Sequence, residues 1–160
     1  MKRALIAGMM LAVAVSAAYG HGKKKHEDKA ASIDMVETEF GMTGDPKNVT
    51  KTVNLGMSDE MQFSPDAITV KKGDTVRFVV KNNGETLHEM VIGRTEDLVK
   101  HAALMQKFPE MEHADPFMAH VEPGADGEIV WTFSKAGNFE FGCLIPGHFE
   151  AGMRGTIAVH

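Results

Sequence analysis

Gly142-Cys143-Leu144-Ile145-Pro146-Gly147-His148-Phe149-Glu150-Ala151-Gly152-Met153-Arg154-Gly155 holds the only cysteine of the 160-residue chain, followed at five-residue steps by a histidine and a methionine. A thiolate, an imidazole and a thioether in one loop are the soft and borderline donors that copper prefers, the thioether being suited to a weak axial position. A fourth donor must come from elsewhere. His88 is the best candidate, because it follows the strand-like run Thr75-Val76-Arg77-Phe78-Val79-Val80-Lys81 and a turn at Asn82-Asn83-Gly84. His88, Cys143, His148 and Met153 would together make a blue-copper-type site, with Met90, on the strand face of His88, as the rival axial sulfur.

These residues resemble the cupredoxin family, small copper proteins of the plastocyanin and azurin kind. The Cys-x4-His-x4-Met loop carries most of the match, and the lead-in Trp131-Thr132-Phe133-Ser134-Lys135-Ala136-Gly137-Asn138-Phe139-Glu140-Phe141 is similar to the family's penultimate strand pair. More narrowly, Leu87-His88-Glu89-Met90-Val91-Ile92-Gly93 together with Pro146 to Met153 resembles the periplasmic cupredoxins of bacterial copper-resistance systems, the CopI-like group. There are two departures from plastocyanin and azurin. The loop spacing matches neither, and Glu89 stands where those proteins usually carry an asparagine that ties the two ligand loops together.

Outward from the loop, the chain falls into three parts. Residues 1–20 read as a signal peptide: Met1-Lys2-Arg3, an apolar run from Ala4 to Ala18, and small residues Ala18 and Gly20 before a cleavage point at His21. The apolar run is short of the roughly twenty residues needed to span a bilayer, so no stable membrane insertion is expected after cleavage. Loss of Lys2 and Arg3 leaves 15 basic against 22 acidic residues, a formal charge of −7, which argues against a nucleic-acid partner. In an oxidising periplasm a lone cysteine needs a reason to stay unpaired, and ligation supplies one. Residues 21–48, rich in Lys, Glu and Asp, read as a charged flexible tail, in which His21 and His26 are candidate copper donors.

Residues 49–160 read as the folded domain. Period-two alternation begins at Val49 and returns at Ala67 to Lys71, Thr75 to Lys81, Leu87 to Ile92, Glu128 to Phe133, Asn138 to Gly142 and Arg154 to Val159, with Met61 to Asp66 as a loop. Between them, Thr95 can cap a helix over about residues 96–107, with Glu96 and Asp97 in its first turn and Leu98, Ala102 and Met105 on one face. A proline-interrupted excursion follows, from Phe108 to His120. His101, Met105, Met111, His113, Met118 and His120 are candidate donors of a second, softer copper site there, against the plainer reading that the methionines fill gaps over the core. About seven or eight strands, one helical Met/His-rich insertion and no repeats indicate an all-β, Greek-key β-sandwich of roughly 110 residues.

Copper is the expected cofactor. The resemblance implies a periplasmic type 1 copper protein that contributes to copper tolerance by binding copper or accepting electrons from cuprous ion. The rival is an electron shuttle to a respiratory or other periplasmic redox partner. Catalysis of the multicopper-oxidase or nitrite-reductase kind would need further histidine pairs and normally more than one such domain, so the chain reads as a non-enzyme whose one catalytic prospect is cuprous oxidation. Leu144, Ile145 and Phe149 are candidates for an apolar rim around His148, or for core packing.

Overall fold

The computed structural model describes residues 35–109, 111 and 114–160. Its strands are β1 (Glu37–Thr38), β2 (Gly41–Thr43), β3 (Lys51–Ser58), β4 (Gln62–Ser64), β5 (Ala67–Val70), β6 (Thr75–Asn82), β7 (His88–Gly93), β8 (Met118–Val121), β9 (Asp126–Thr132), β10 (Gly137–Gly142) and β11 (Arg154–Val159). The single α-helix among the described residues, α1 (Thr95–Lys107), lies between β7 and β8. One sheet has the order β1-β2-β9-β6-β3-β4 and the other β5-β11-β10-β7-β8. Pairs β3–β6 and β5–β11 are parallel and the other pairings antiparallel. This is the expected all-β sandwich with one helical insertion.

Alternation decides which face each strand buries. In β6, Val76, Phe78 and Val80 have no exposure while Arg77 and Val79 are half-buried, as a strand with one face on the core requires. Ile129 and Trp131 of β9 and Ile157 and Val159 of β11 enter the same core, which draws on both sheets. In β7 every residue is buried, because one face meets that core and the other meets α1. Leu98, Ala102 and Met105 form the buried stripe of α1, as their spacing predicts. Thr95 does not cap the helix. Arg94 occupies the N-cap position without a side-chain cap bond, and the Thr95 hydroxyl donates instead to Glu140 Oε1 at 2.7 Å.

Four short strands lie outside the sequence expectation. The tail expected through Asn48 becomes ordered sheet well before that point: β1 and β2 form a hairpin, and β2 pairs with β9 through Met42↔Thr132 and Thr43↔Trp131. Phe40, between them, drops into the core, 5.3 Å from the Trp131 ring and 5.4 Å from Phe117 edge-on, and its carbonyl accepts the Trp131 indole N–H at 3.4 Å. Part of the expected Met61–Asp66 loop is β4, paired with the end of β3, and the end of the excursion is β8, paired with β7. Strands of two to four residues are too short to register as alternation. The signal-peptide reading of residues 1–20, with His21 and His26 of the tail, lies outside the described residues. Among the described residues no helix is long and apolar enough to cross a membrane.

If the hairpin belongs to the fold, Phe40→Ala should lower unfolding stability by about 3 kcal/mol, the scale of an aromatic truncation in a core. A denaturant midpoint matching that of the unaltered chain would mean that the domain closes without residues 37–43.

Candidate metal centre

β7, β10 and β11 bring three donors together at one end of the sandwich. Cys143 follows β10 directly, His88 opens β7, and His148 sits on the loop that returns to β11. The ligating atoms of His88, Cys143 and His148 all lie within 4.8 Å of one another, the one such group of three or more His, Cys, Asp or Glu among the described residues. His148 Nδ1 is 3.3 Å and His88 Nδ1 3.9 Å from Cys143 Sγ, and the two rings are 4.9 Å apart at 52°. Both imidazoles therefore present the same nitrogen to the sulfur. His88 and Cys143 have no exposure, whereas His148 is half-buried and is the member of the group that reaches solvent.

The loop's backbone explains how residues ten apart can serve one site. Cys143 N–H donates to the Met153 carbonyl at 3.1 Å, and Met153 N–H donates to the His148 carbonyl at 3.0 Å. Each five-residue step is thus drawn back onto the site. Gly147 and Gly152, at φ 91° and 98°, take the left-handed turns on which this path depends, a region that side-chain-bearing residues rarely adopt. Met153 is fully buried in the main core together with Cys143 and Met90, so both thioether candidates belong to the apolar interior.

Glu89 does the tying work expected of asparagine. Its carboxylate is 1% exposed, Oε1 accepts the Leu144 N–H at 2.8 Å, and its own N–H donates to Cys143 Sγ at 3.4 Å. Oε2 pairs with His120 Nε2 at 2.7 Å across the β7–β8 register. A buried carboxylate so surrounded is held by a neighbouring imidazole and a main-chain donor rather than by water.

Leu144 and Phe149 are not a rim. They are buried against Val91, Leu98, Ala102 and Met105, so that α1 braces the loop from outside, with a Gln106–Glu150 hydrogen bond of 2.7 Å at the edge. Ile145 is half-buried and Pro146 and Gly147 are exposed, and these three precede His148 directly along the loop. The six excursion donors are dispersed in role. Met105 and Met118 are packed in the same helical cluster, His120 holds Glu89, His101 lines a hollow beside β7, Met111 is exposed, and His113 lies outside the described residues. Nothing in the sequence singled out Asp59, whose carboxylate meets His88 Nε2 at 3.0 Å from the β3–β4 turn.

Burial pushes the Cys143 thiol up to about 12, the Glu89 charge adding to the effect and N–H donors opposing it. Burial also lowers His148, with His88 contributing, so its ring is ready to donate at neutral pH. The donor set suits a soft or borderline transition metal: one sulfur and two imidazole nitrogens converging in a site shielded on one side by apolar core.

A two-sheet sandwich with a His-Cys-His donor group at the end of its last strand pair defines a metal-binding protein of the blue-copper type. The chain belongs to the family of copper-binding proteins of plastocyanin and azurin, whose sequence pattern matches residues 49–160. It is 47% identical over 155 residues to the copper-resistant cuproprotein CopI of Rubrivivax gelatinosus, covering 97% of this chain and 93% of that protein. With the copper-resistant cuproprotein CopI of Pseudomonas aeruginosa it shares 35% identity over 152 residues, 75% of this chain and 82% of the other. Among solved structures, reduced auracyanin from Roseiflexus castenholzii superposes with a TM-score of 0.61 at 22% identity, over 70% of this chain and 98% of that one, a likeness of fold. Copper is accordingly the cofactor of the class, and the clustered sulfur and nitrogens fit it.

Two outcomes test this description. Metal uptake at the group must displace the Cys143 proton, so the apparent affinity for cuprous ion, measured against a competing chelator, should rise about tenfold per pH unit from about pH 7 to pH 10. A flat profile would remove the thiol from the donor set. Glu89→Leu, which strands the Leu144 N–H and His120, should cost about 2–3 kcal/mol of unfolding stability, whereas loss of less than about 0.5 kcal/mol would make the tie incidental.

Proposed function

We propose that the chain is an exported copper-tolerance protein holding one copper ion at His88, Cys143 and His148, with Met153 as a weak axial donor, and accepting electrons from cuprous ion. The observation that carries the reading is the approach of two imidazole Nδ1 atoms to one buried thiol. Copper held there supplies a one-electron couple. The protein's part is to fix the donors in advance: His88 through β7, Cys143 through β10, and His148 through a loop pinned by its own backbone. Rigid placement of this kind limits rearrangement between oxidation states that favour different geometries.

Electron exchange is assigned to His148, the half-buried ligand, with Ile145, Pro146 and Gly147 as the surface a periplasmic redox partner would touch. Copper tolerance is supported by the names of the CopI relatives, and export by Lys2, Arg3 and the apolar run up to Ala18.

The oxidised, copper-loaded protein should absorb intensely in the visible range through thiolate-to-copper charge transfer, and Cys143→Ser should abolish the band. Its survival in the serine variant would refute the ligand set. Met153→Leu should keep copper while changing colour and potential, and Met90→Leu should leave the spectrum as it is; the opposite pattern would make Met90 the axial sulfur. In cells, a deletion strain should lose growth on copper while respiring normally without it. Impaired respiration with unchanged copper tolerance would favour the electron-shuttle role.

A further inference from the structure

Asp59 lies in the turn between β3 and β4, remote in sequence from every residue of the metal centre, yet its carboxylate is built into the back of it. Oδ2 accepts the Glu85 N–H at 2.7 Å. Oδ1 accepts the Thr86 hydroxyl at 2.7 Å and the Thr86 N–H at 3.3 Å, and meets His88 Nε2 at 3.0 Å. The segment that supplies these donors is itself fixed: Asn82, fully buried, donates its side-chain amide to the Thr86 and Val121 carbonyls and accepts the Gly84 N–H. Gly84 makes room for the carboxylate, since a Cβ at that position would stand 2.2 Å from Oδ1. The His88 side chain has no exposure and Asp59 is partly exposed, so the carboxylate is the polar group standing between a buried imidazole and water.

We propose that Asp59 is a positioning residue of the metal centre: by accepting the Nε2–H of His88 it fixes the ring's tautomer and plane, leaves Nδ1 as the ligating nitrogen, and makes that nitrogen a stronger donor, biasing the site toward the oxidised metal. The Glu85 N–H, the Thr86 N–H and the Thr86 hydroxyl already point at the Asp59 carboxylate. A carboxylate oxygen 3.0 Å from His88 Nε2 is an acceptor that an N–H satisfies, which places the ring's proton on Nε2. The remaining lone pair is on Nδ1, the atom facing Cys143 Sγ. A carboxylate behind a ligating imidazole raises its basicity, and stronger donation favours the more highly charged metal ion; removal of such partners typically changes metal affinity 10- to 100-fold.

The inference rests on the reading of His88 as a copper ligand, and the test separates the two. In the metal-free protein, nitrogen-15 NMR of His88 at neutral pH should show the Nε2–H tautomer, and an Nδ1–H ring would overturn the proposal without any variant being made. In the copper-loaded protein, Asp59→Asn keeps the shape and an acceptor oxygen but removes the charge. Cupric affinity should then fall about tenfold more than cuprous affinity, which for a one-electron couple is a rise of about 59 mV in reduction potential. The charge-transfer band should persist. An unchanged potential with the band intact would sink the role of Asp59 while leaving the ligand set standing. If His88→Gly retains the wild-type spectrum and potential, the reading of His88 as ligand fails, and the proposal with it. Should Asp59→Asn fold poorly, Thr86→Val, which removes one of the donors holding the carboxylate, should perturb the His88 nitrogen shifts in the metal-free protein. Shifts identical to wild type would count against the relay.

Discussion

The Cys143 N–H to Met153 carbonyl bond, 3.1 Å long, closes the loop on which the metal centre depends. It continues the β10–β11 ladder one step beyond its Gly142↔Arg154 pair, so the sandwich's own hydrogen bonding delivers the thiol and the thioether residue to the same place. The excursion between them must turn tightly enough to bring His148 back. The Met153 N–H to His148 carbonyl bond and the left-handed glycines at 147 and 152 provide that turn. The donors are thereby placed by backbone geometry rather than by the metal.

Around that loop the fold supplies three supports of different kinds. Below it, the main core surrounds Cys143, Met90 and Met153 with apolar side chains and keeps the thiol protonated until a metal displaces the proton. Outside it, α1 presses Leu98, Ala102 and Met105 onto Leu144 and Phe149, which gives the helical insertion a mechanical role at the site. Beside it, two carboxylates act at close range: Glu89 links β7 to Leu144 and to His120, and Asp59 meets the far nitrogen of His88. The sulfur and the two imidazoles thus have two carboxylates as neighbours, a setting that would favour the more highly charged state of a metal held there.

Much of this is legible in the amino-acid sequence. The ligand loop is written in consecutive residues, Cys143 to Met153, and its spacing is itself the chemical signal. The alternation of Val76, Phe78 and Val80 and the stripe Leu98, Ala102, Met105 report burial directly. What escaped was of two sorts. Strands β1, β2, β4 and β8 have two to four residues, and β2 and β8 pair with strands far along the chain, so the Phe40 anchor on Trp131 has no local signature. Asp59 is a charged residue in a turn, indistinguishable from a solvated one until β3 and the Glu85–Thr86 backbone are seen to converge. Glu89 stood out in sequence as a departure from asparagine, but only the structure shows its two oxygens divided between Leu144 and His120. In the Met- and His-rich excursion the sequence leaves donor and packing readings side by side, and the structure packs Met105 and Met118 in the helical cluster and pairs His120 with Glu89.

The central claim is that a single thiolate and two imidazoles hold the copper. X-ray absorption at the copper edge of the loaded protein tests it most directly. The account predicts one strongly bound sulfur and two imidazole nitrogens in the coordination sphere, with the sulfur lost in Cys143→Ser and one nitrogen lost in His88→Gly. A coordination sphere of nitrogen and oxygen alone, or one unaffected by both substitutions, would contradict it.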